Sequence, residues 1–148
     1  MAKRVFLFLI ILFAPLTFMS IAYSQMEKKT ITLPSGEVVC DLNGEWGALF
    51  ERYLPFTTKE VAAGYKEIIK ITQKDNEFVG IRLIGTEWLG KGTEAIRGKL
   101  DRNEFKEIQL LFKPSSGWQD CNGEMSKDCN KMVLENARGD WKVTLERK

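Results

Sequence analysis

Cys40-Asp41-Leu42-Asn43-Gly44-Glu45-Trp46 opens the structured part of the chain. A glycine stepping into a strand that carries a tryptophan, followed by evenly spaced short strands, reads as the first strand of a small antiparallel β-barrel. The stretch lies about fifteen residues behind an apolar leader. Its position thus suggests a compartment as well as a fold, but no reaction.

Working outward from Trp46, strand-like segments follow at regular intervals. Residues 45–54 form the first. Residues 65–73 and 78–84 flank Lys74-Asp75-Asn76-Glu77, residues 93–100 and 105–113 flank Asp101-Arg102-Asn103-Glu104, and residues 132–136 and 141–147 flank Ala137-Arg138-Gly139-Asp140. Each connection is rich in turn formers. Three hairpins and an opening strand give seven strands, and residues 118–124 offer an eighth. Thr57-Thr58-Lys59-Glu60 resembles a capping box, which predicts one helical turn over residues 59–63. Upstream, Thr30-Ile31-Thr32-Leu33, the turn Pro34-Ser35-Gly36-Glu37 and Val38-Val39-Cys40 read as a short hairpin or an extended arm with a turn. The expected class is all-β, a small up-and-down barrel of seven or eight strands.

The periodicity agrees with one buried face per strand. Trp141, Val143 and Leu145 alternate with Lys142, Thr144 and Glu146; Ile108, Leu110 and Phe112 alternate with Glu107, Gln109 and Leu111. Val79, Ile81 and Leu83 alternate with Phe78, Gly80, Arg82 and Ile84, and the aliphatic set is the expected core face. Gly80, Gly85 and Gly98 suit the tight coiling of a small barrel.

Residues 1–24 read as a signal peptide. Lys3 and Arg4 are followed by an uncharged apolar run, and Ala22-Tyr23-Ser24 presents small residues at the two positions a signal peptidase reads. The alternative is an uncleaved N-terminal anchor, since the run approaches the ~20 residues needed to span a bilayer. Residues 25–44 then form an N-terminal arm or short hairpin, and residues 45–148 the barrel domain. The expected location is the periplasm or the medium, with no membrane contact once the leader is removed.

Of 22 basic and 20 acidic residues, the leader takes two basic ones, so the mature chain carries equal numbers of each sign. No basic block or stripe interrupts this balance, which argues against nucleic acid and anionic lipid as partners. The chain contains no histidine. That removes the commonest general base, zinc ligand and haem ligand, and no metal or cofactor is expected. Three cysteines in an exported chain predict one disulfide and one thiol. Cys121 with Cys129 across Asn122-Gly123 is the first choice. Cys40 with either is the alternative, because first and last strands meet when a barrel closes.

On these motifs the chain resembles the calycin barrels, the lipocalins and avidins. Gly44-Glu45-Trp46 is similar to the lipocalin opening, and Cys40 to Trp46 fits the avidin Cys-x-Leu-x-Gly-x-Trp pattern. Glu77-Phe78-Val79-Gly80 and Asp101-Arg102-Asn103 also look like avidin hairpin segments. The resemblance implies a barrel closed at one end by Gly44, Trp46 and Arg147, with the guanidinium stacked on the indole. It does not carry over biotin binding. The positions two and six residues after the Trp are Ala48 and Arg52, and those two and four after the hairpin glycine are Arg82 and Ile84.

Candidate ligand contacts are Trp88, on the glycine-rich loop at residues 85–92, and Arg82 with Phe78. If Arg82 faces inward it needs an anion, from a ligand or from Glu107 or another strand carboxylate; if the aliphatic face is internal, Arg82 is solvated. Glu45, Glu51 and Glu67 are the carboxylates that acid–base chemistry would need, but nothing fixes their separation. Ser115-Ser116-Gly117 reads as a turn, and without histidine no serine triad forms. No catalytic residue is assigned and no enzyme is expected. The expected function is an exported binding barrel for a small apolar or amphipathic ligand. The alternative is a protein-binding module of the cell envelope, such as a periplasmic protease inhibitor whose arm, residues 25–39, enters the target. The two-sided apolarity of residues 78–84 and 108–112 leaves room for a homodimer.

Overall fold

The computed structural model describes residues 29–53, 61–86, 88–112 and 114–148. The leader, the first residues of the arm and the Thr57 capping-box motif lie outside these. Among the described residues ten strands are formed: β1 (Thr30–Thr32), β2 (Val38–Cys40), β3 (Gly44–Tyr53), β4 (Val61–Lys74), β5 (Glu77–Arg82), β6 (Glu94–Asp101), β7 (Glu104–Leu111), β8 (Trp118–Met125), β9 (Lys131–Asn136) and β10 (Trp141–Arg147). Strands β3 to β10 pair antiparallel, each with its neighbour in sequence, and β10 pairs back onto β3 to close an eight-stranded barrel. Closure leaves the barrel strands no free edge. The helical turn expected over residues 59–63 is not formed where it is described: β4 already begins at Val61, with Val61 paired to Tyr53.

The interior face of each strand supplies the core. β3 contributes Trp46, Ala48 and Phe50, β4 Ile69 and Ile71, β7 Ile108 and Leu110, β9 Met132 and Leu134, and β10 Val143 and Leu145; all are buried. Strand β5 reverses the expected facing. Phe78, Gly80 and Arg82 point inward, while Val79 and Ile81 lie partly exposed on the outer wall. The physical reason is steric. A Cβ at Gly80 would stand 2.4 Å from Ile96 Cγ2 and 2.7 Å from Ile69 Cγ2, so the wall approaches closest there and only glycine fits. Gly123 on β8 does the same, with a Cβ falling 2.5 Å from Ile108 Cδ1 and 2.6 Å from Leu134 Cδ2. The middle of the barrel has no room for a methyl group at these two points.

One end is sealed. The turns β4–β5 and β6–β7 and the β8–β9 loop gather there, and the β1–β2 hairpin lies across them. Leu33, Val39 and Leu42 bury against the core. Cys40 N donates to Asn103 Oδ1 at 2.7 Å, Leu42 N to Gln73 Oε1 at 2.7 Å, and Arg102 N to the Glu37 carboxylate. Of the two forms open to this segment, the hairpin is the one that forms.

The disulfide joins Cys40 to Cys129, which corrects the Cys121–Cys129 pairing. Asn122-Gly123 is not a turn: Cys121 sits within β8, paired to Ile108 and Asn136. The true reversal follows Met125, where Cys129 takes a left-handed φ of 61° and comes beside the hairpin. Cys121 is a free, half-buried thiol. A disulfide is what an oxidising, exported compartment permits. Among the described residues no helix is long and apolar enough to cross a membrane.

Candidate functional site

The end opposite the hairpin is the mouth, where four aromatic rings collect. Phe50 of β3 stacks on Tyr65 of β4, with ring centroids 4.7 Å apart and planes 5° from parallel. Phe112, just past β7, meets Phe50 edge-on at 6.1 Å and stacks on Trp141 of β10 at 4.6 Å. Phe50 and Phe112 are buried, whereas Tyr65 and Trp141 are partly exposed. The four rings thus form an aromatic floor whose outer faces belong to Tyr65 and Trp141. Arg52, on the rim, lies 6.0 Å from the Trp141 ring centre, at the outer limit of a cation–π contact.

Beside this floor lies a buried ion pair. Arg82 is fully buried, and its Nε donates to both carboxylate oxygens of Glu67 at 3.1 Å. Its other nitrogens donate to Thr93 Oγ1 and to the backbone carbonyls of Glu94 and Leu111. Arg82 thereby ties β4, β5, β6 and β7 together under the β5–β6 loop. Burial raises the Glu67 pKa, and Arg82 offsets part of that. Burial and the neighbouring Glu67 charge push the Tyr65 hydroxyl well above its ordinary value, so it stays protonated. It donates weakly to Phe112 O at 3.4 Å.

The candidate residues are therefore separated. Arg82 reaches the mouth, but inside the wall, which corrects the solvated reading. Its anion is Glu67, not Glu107, which pairs with Lys99 on the outer surface at 2.9 Å. Phe78 lies four residues nearer the sealed end, about 13 Å along the strand, and packs edge-on against Phe105. Trp88 stands 71% exposed on the rim and Ile84 53% exposed. Hydrogen bonds join described residues of their loop. Leu89 is buried beneath it, Thr86 N donates to Leu89 O at 2.7 Å, and Thr93 Oγ1 donates to Gly90 O at 2.7 Å. At the sealed end Arg147 stacks over Trp46 at 4.5 Å, and the Trp46 indole donates to Leu42 O at 2.9 Å. Gly44 adopts φ 128° there, a conformation that favours glycine.

The carboxylates do not converge for acid–base work. Trp46, Ala48 and Phe50 take the inner face of β3, which leaves Glu45 and Glu51 on the outer wall while Glu67 is inside. Among the described residues no group of three or more Cys, Asp or Glu is placed to hold a metal ion. Sequence reading missed Phe50, Tyr65, Phe112 and Trp141 as one group. The available signal was the strand parity: Lys66, Lys70 and Thr72 mark the wet face of β4 and send Tyr65 and Glu67 inward. Comparison with family models, curated proteins and solved structures finds no match to this chain.

Proposed function

We propose that the protein is an exported, non-enzymatic binding barrel of the calycin kind that takes a small apolar or amphipathic molecule at its mouth. The observation that carries this reading is the aromatic floor of Phe50, Tyr65, Phe112 and Trp141 set beside the buried Arg82–Glu67 pair. Rings partly open to solvent beside a hydrogen-bonded ion pair make an apolar surface with few polar groups at its edge, as small-molecule sites have. The close approaches at Gly80 and Gly123 favour a ligand lying across the mouth over one threaded along the axis. The Cys40–Cys129 bridge supports export, with the periplasm or the medium as destination.

The test is a fluorescence titration of the mature protein with 1-anilinonaphthalene-8-sulfonate, an amphipathic aromatic probe. Saturable binding at one site is expected, weakened about tenfold in Tyr65→Ala and Trp141→Phe, or ~1.4 kcal/mol, with near-ultraviolet circular dichroism unchanged. Absence of saturable binding in the wild type, or wild-type affinity in both variants, refutes the mouth as the site.

A second reading, a protein-binding module of the envelope, is favoured by Trp88 and Ile84, exposed on a loop held by its own hydrogen bonds. An exposed tryptophan is a common anchor in protein interfaces. In that case the contact surface is the rim and not the arm, since residues 30–42 are engaged in sealing the base. Probe binding that is lost in Trp88→Ala and kept in Tyr65→Ala would favour this reading.

A further inference from the structure

At the sealed end of the barrel two buried side-chain donors lack an acceptor. Arg147 spends its guanidinium on neutral oxygens: Nη1 donates to Asn43 O at 2.9 Å, and Nη2 to Asp41 O and, at 3.4 Å, to Cys129 O. Arg147 Nε and Asn130 Nδ2 are shielded from solvent and meet no acceptor. The two residues are neighbours, with Arg147 N donating to Asn130 O at 2.9 Å. They line a cleft of about 590 Å³ together with Lys29, Lys131 and Lys148. Its two acids are already committed. Glu146 pairs with Lys131 at 3.1 Å, and Asp128 accepts from Ser126 Oγ at 2.5 Å and Asn130 N at 3.3 Å. Among the described residues neither Lys29, Lys148 nor Arg147 is in ion-pair contact with a carboxylate.

We propose that this basal cleft binds an oxyanion group, a carboxylate or a phosphate, held by Arg147, Asn130, Lys29 and Lys148. Three cations and an amide donor converge in a cleft whose two lining acids are already engaged, and a charged oxygen is the partner that N–H donors bond most strongly. A buried donor left without an acceptor is a rarity that calls for one. The site lies across the barrel from the mouth and is independent of the function proposed for it.

The test is a titration of the ¹⁵N-labelled mature protein with sodium phosphate and, separately, sodium acetate, with sodium chloride at matched ionic strength as reference. The side-chain resonances of Arg147 Nε and Asn130 Nδ2 are followed. Saturating shifts of both are expected, roughly fivefold weaker in affinity in Asn130→Ala and in the Lys29→Ala/Lys148→Ala double variant, whose lysines are exposed and outside the core. Saturation with phosphate alone identifies a phosphate site, and saturation with both anions a carboxylate-tolerant one. Shifts that chloride reproduces, that never saturate, or that persist unchanged in the variants overturn the proposal.

Discussion

Removing the Cys40–Cys129 bridge is expected to destabilise the barrel through its unfolded state. The bridge closes a loop of 89 residues. For a loop of that length the chain-entropy relation gives ~4.6 kcal/mol at 25 °C. The native structure should change little, because Leu33, Val39 and Leu42 keep the hairpin buried on the base and Asn103 and Gln73 still accept its backbone bonds. Cys40→Ala/Cys129→Ala is the right variant, since alanine leaves no unsatisfied hydroxyl in a buried site. Equilibrium urea unfolding, read by tryptophan fluorescence, measures the effect. With an m-value of about 1.5 kcal/mol/M, the midpoint should fall by about 3 M. Cys121→Ala, in a half-buried strand position outside the bridge, should shift stability by about 1 kcal/mol or less. A double variant that loses less than about 1 kcal/mol, or a Cys121 variant that loses as much as the double, would refute the pairing and the loop argument together.

Two further outcomes follow from the buried groups. Glu67→Gln leaves Arg82 charged and buried without its anion, and should cost about 3–5 kcal/mol in the same assay; Glu67→Gln/Arg82→Met should recover much of that, and no recovery would mean that the carbonyl partners of Arg82 dominate. The Cys121 thiol has its pKa pushed up to about 12 from 9.0, first by burial and then by Asp120. A folded pKa above the unfolded one gives stability that is intact below pH 9 and declines as pH rises toward 12, so the alkaline stability loss of the wild type should exceed that of Cys121→Ala.

Strand number and order were legible in this chain because they rest on short-range signals. Asp75-Asn76, Arg102-Asn103 and Arg138-Gly139 mark turns by composition, and the alternation on β7 and β10 marks one apolar face each. The facing of β5 was not legible. Val79, Ile81 and Leu83 are the more apolar set by composition, yet the inner position requires a residue without a side chain where Ile69 and Ile96 press in. That requirement belongs to the neighbouring strands. The same holds for Arg82, whose inward placement depends on Glu67 across a strand pair. The first-choice pairing of Cys121 with Cys129 failed for a local reason, while the alternative that brings in Cys40 is the one formed: Asn-Gly is a strong turn signal, but here Gly123 is a packing glycine inside β8 and the reversal falls at residues 126–130. The mouth was invisible because its four rings come from β3, β4, β10 and the segment after β7, and only barrel closure brings them together.

Native mass spectrometry of the protein, purified gently from cells that produce it, tests the central claim most directly. A mouth built to hold an amphipathic molecule predicts a reproducible added mass that is lost on denaturation and reduced in occupancy in Tyr65→Ala. A clean protein mass in the wild type, with no adduct under gentle ionisation and no binding of the probe in solution, would contradict it and leave the Trp88 rim as the working surface of the barrel.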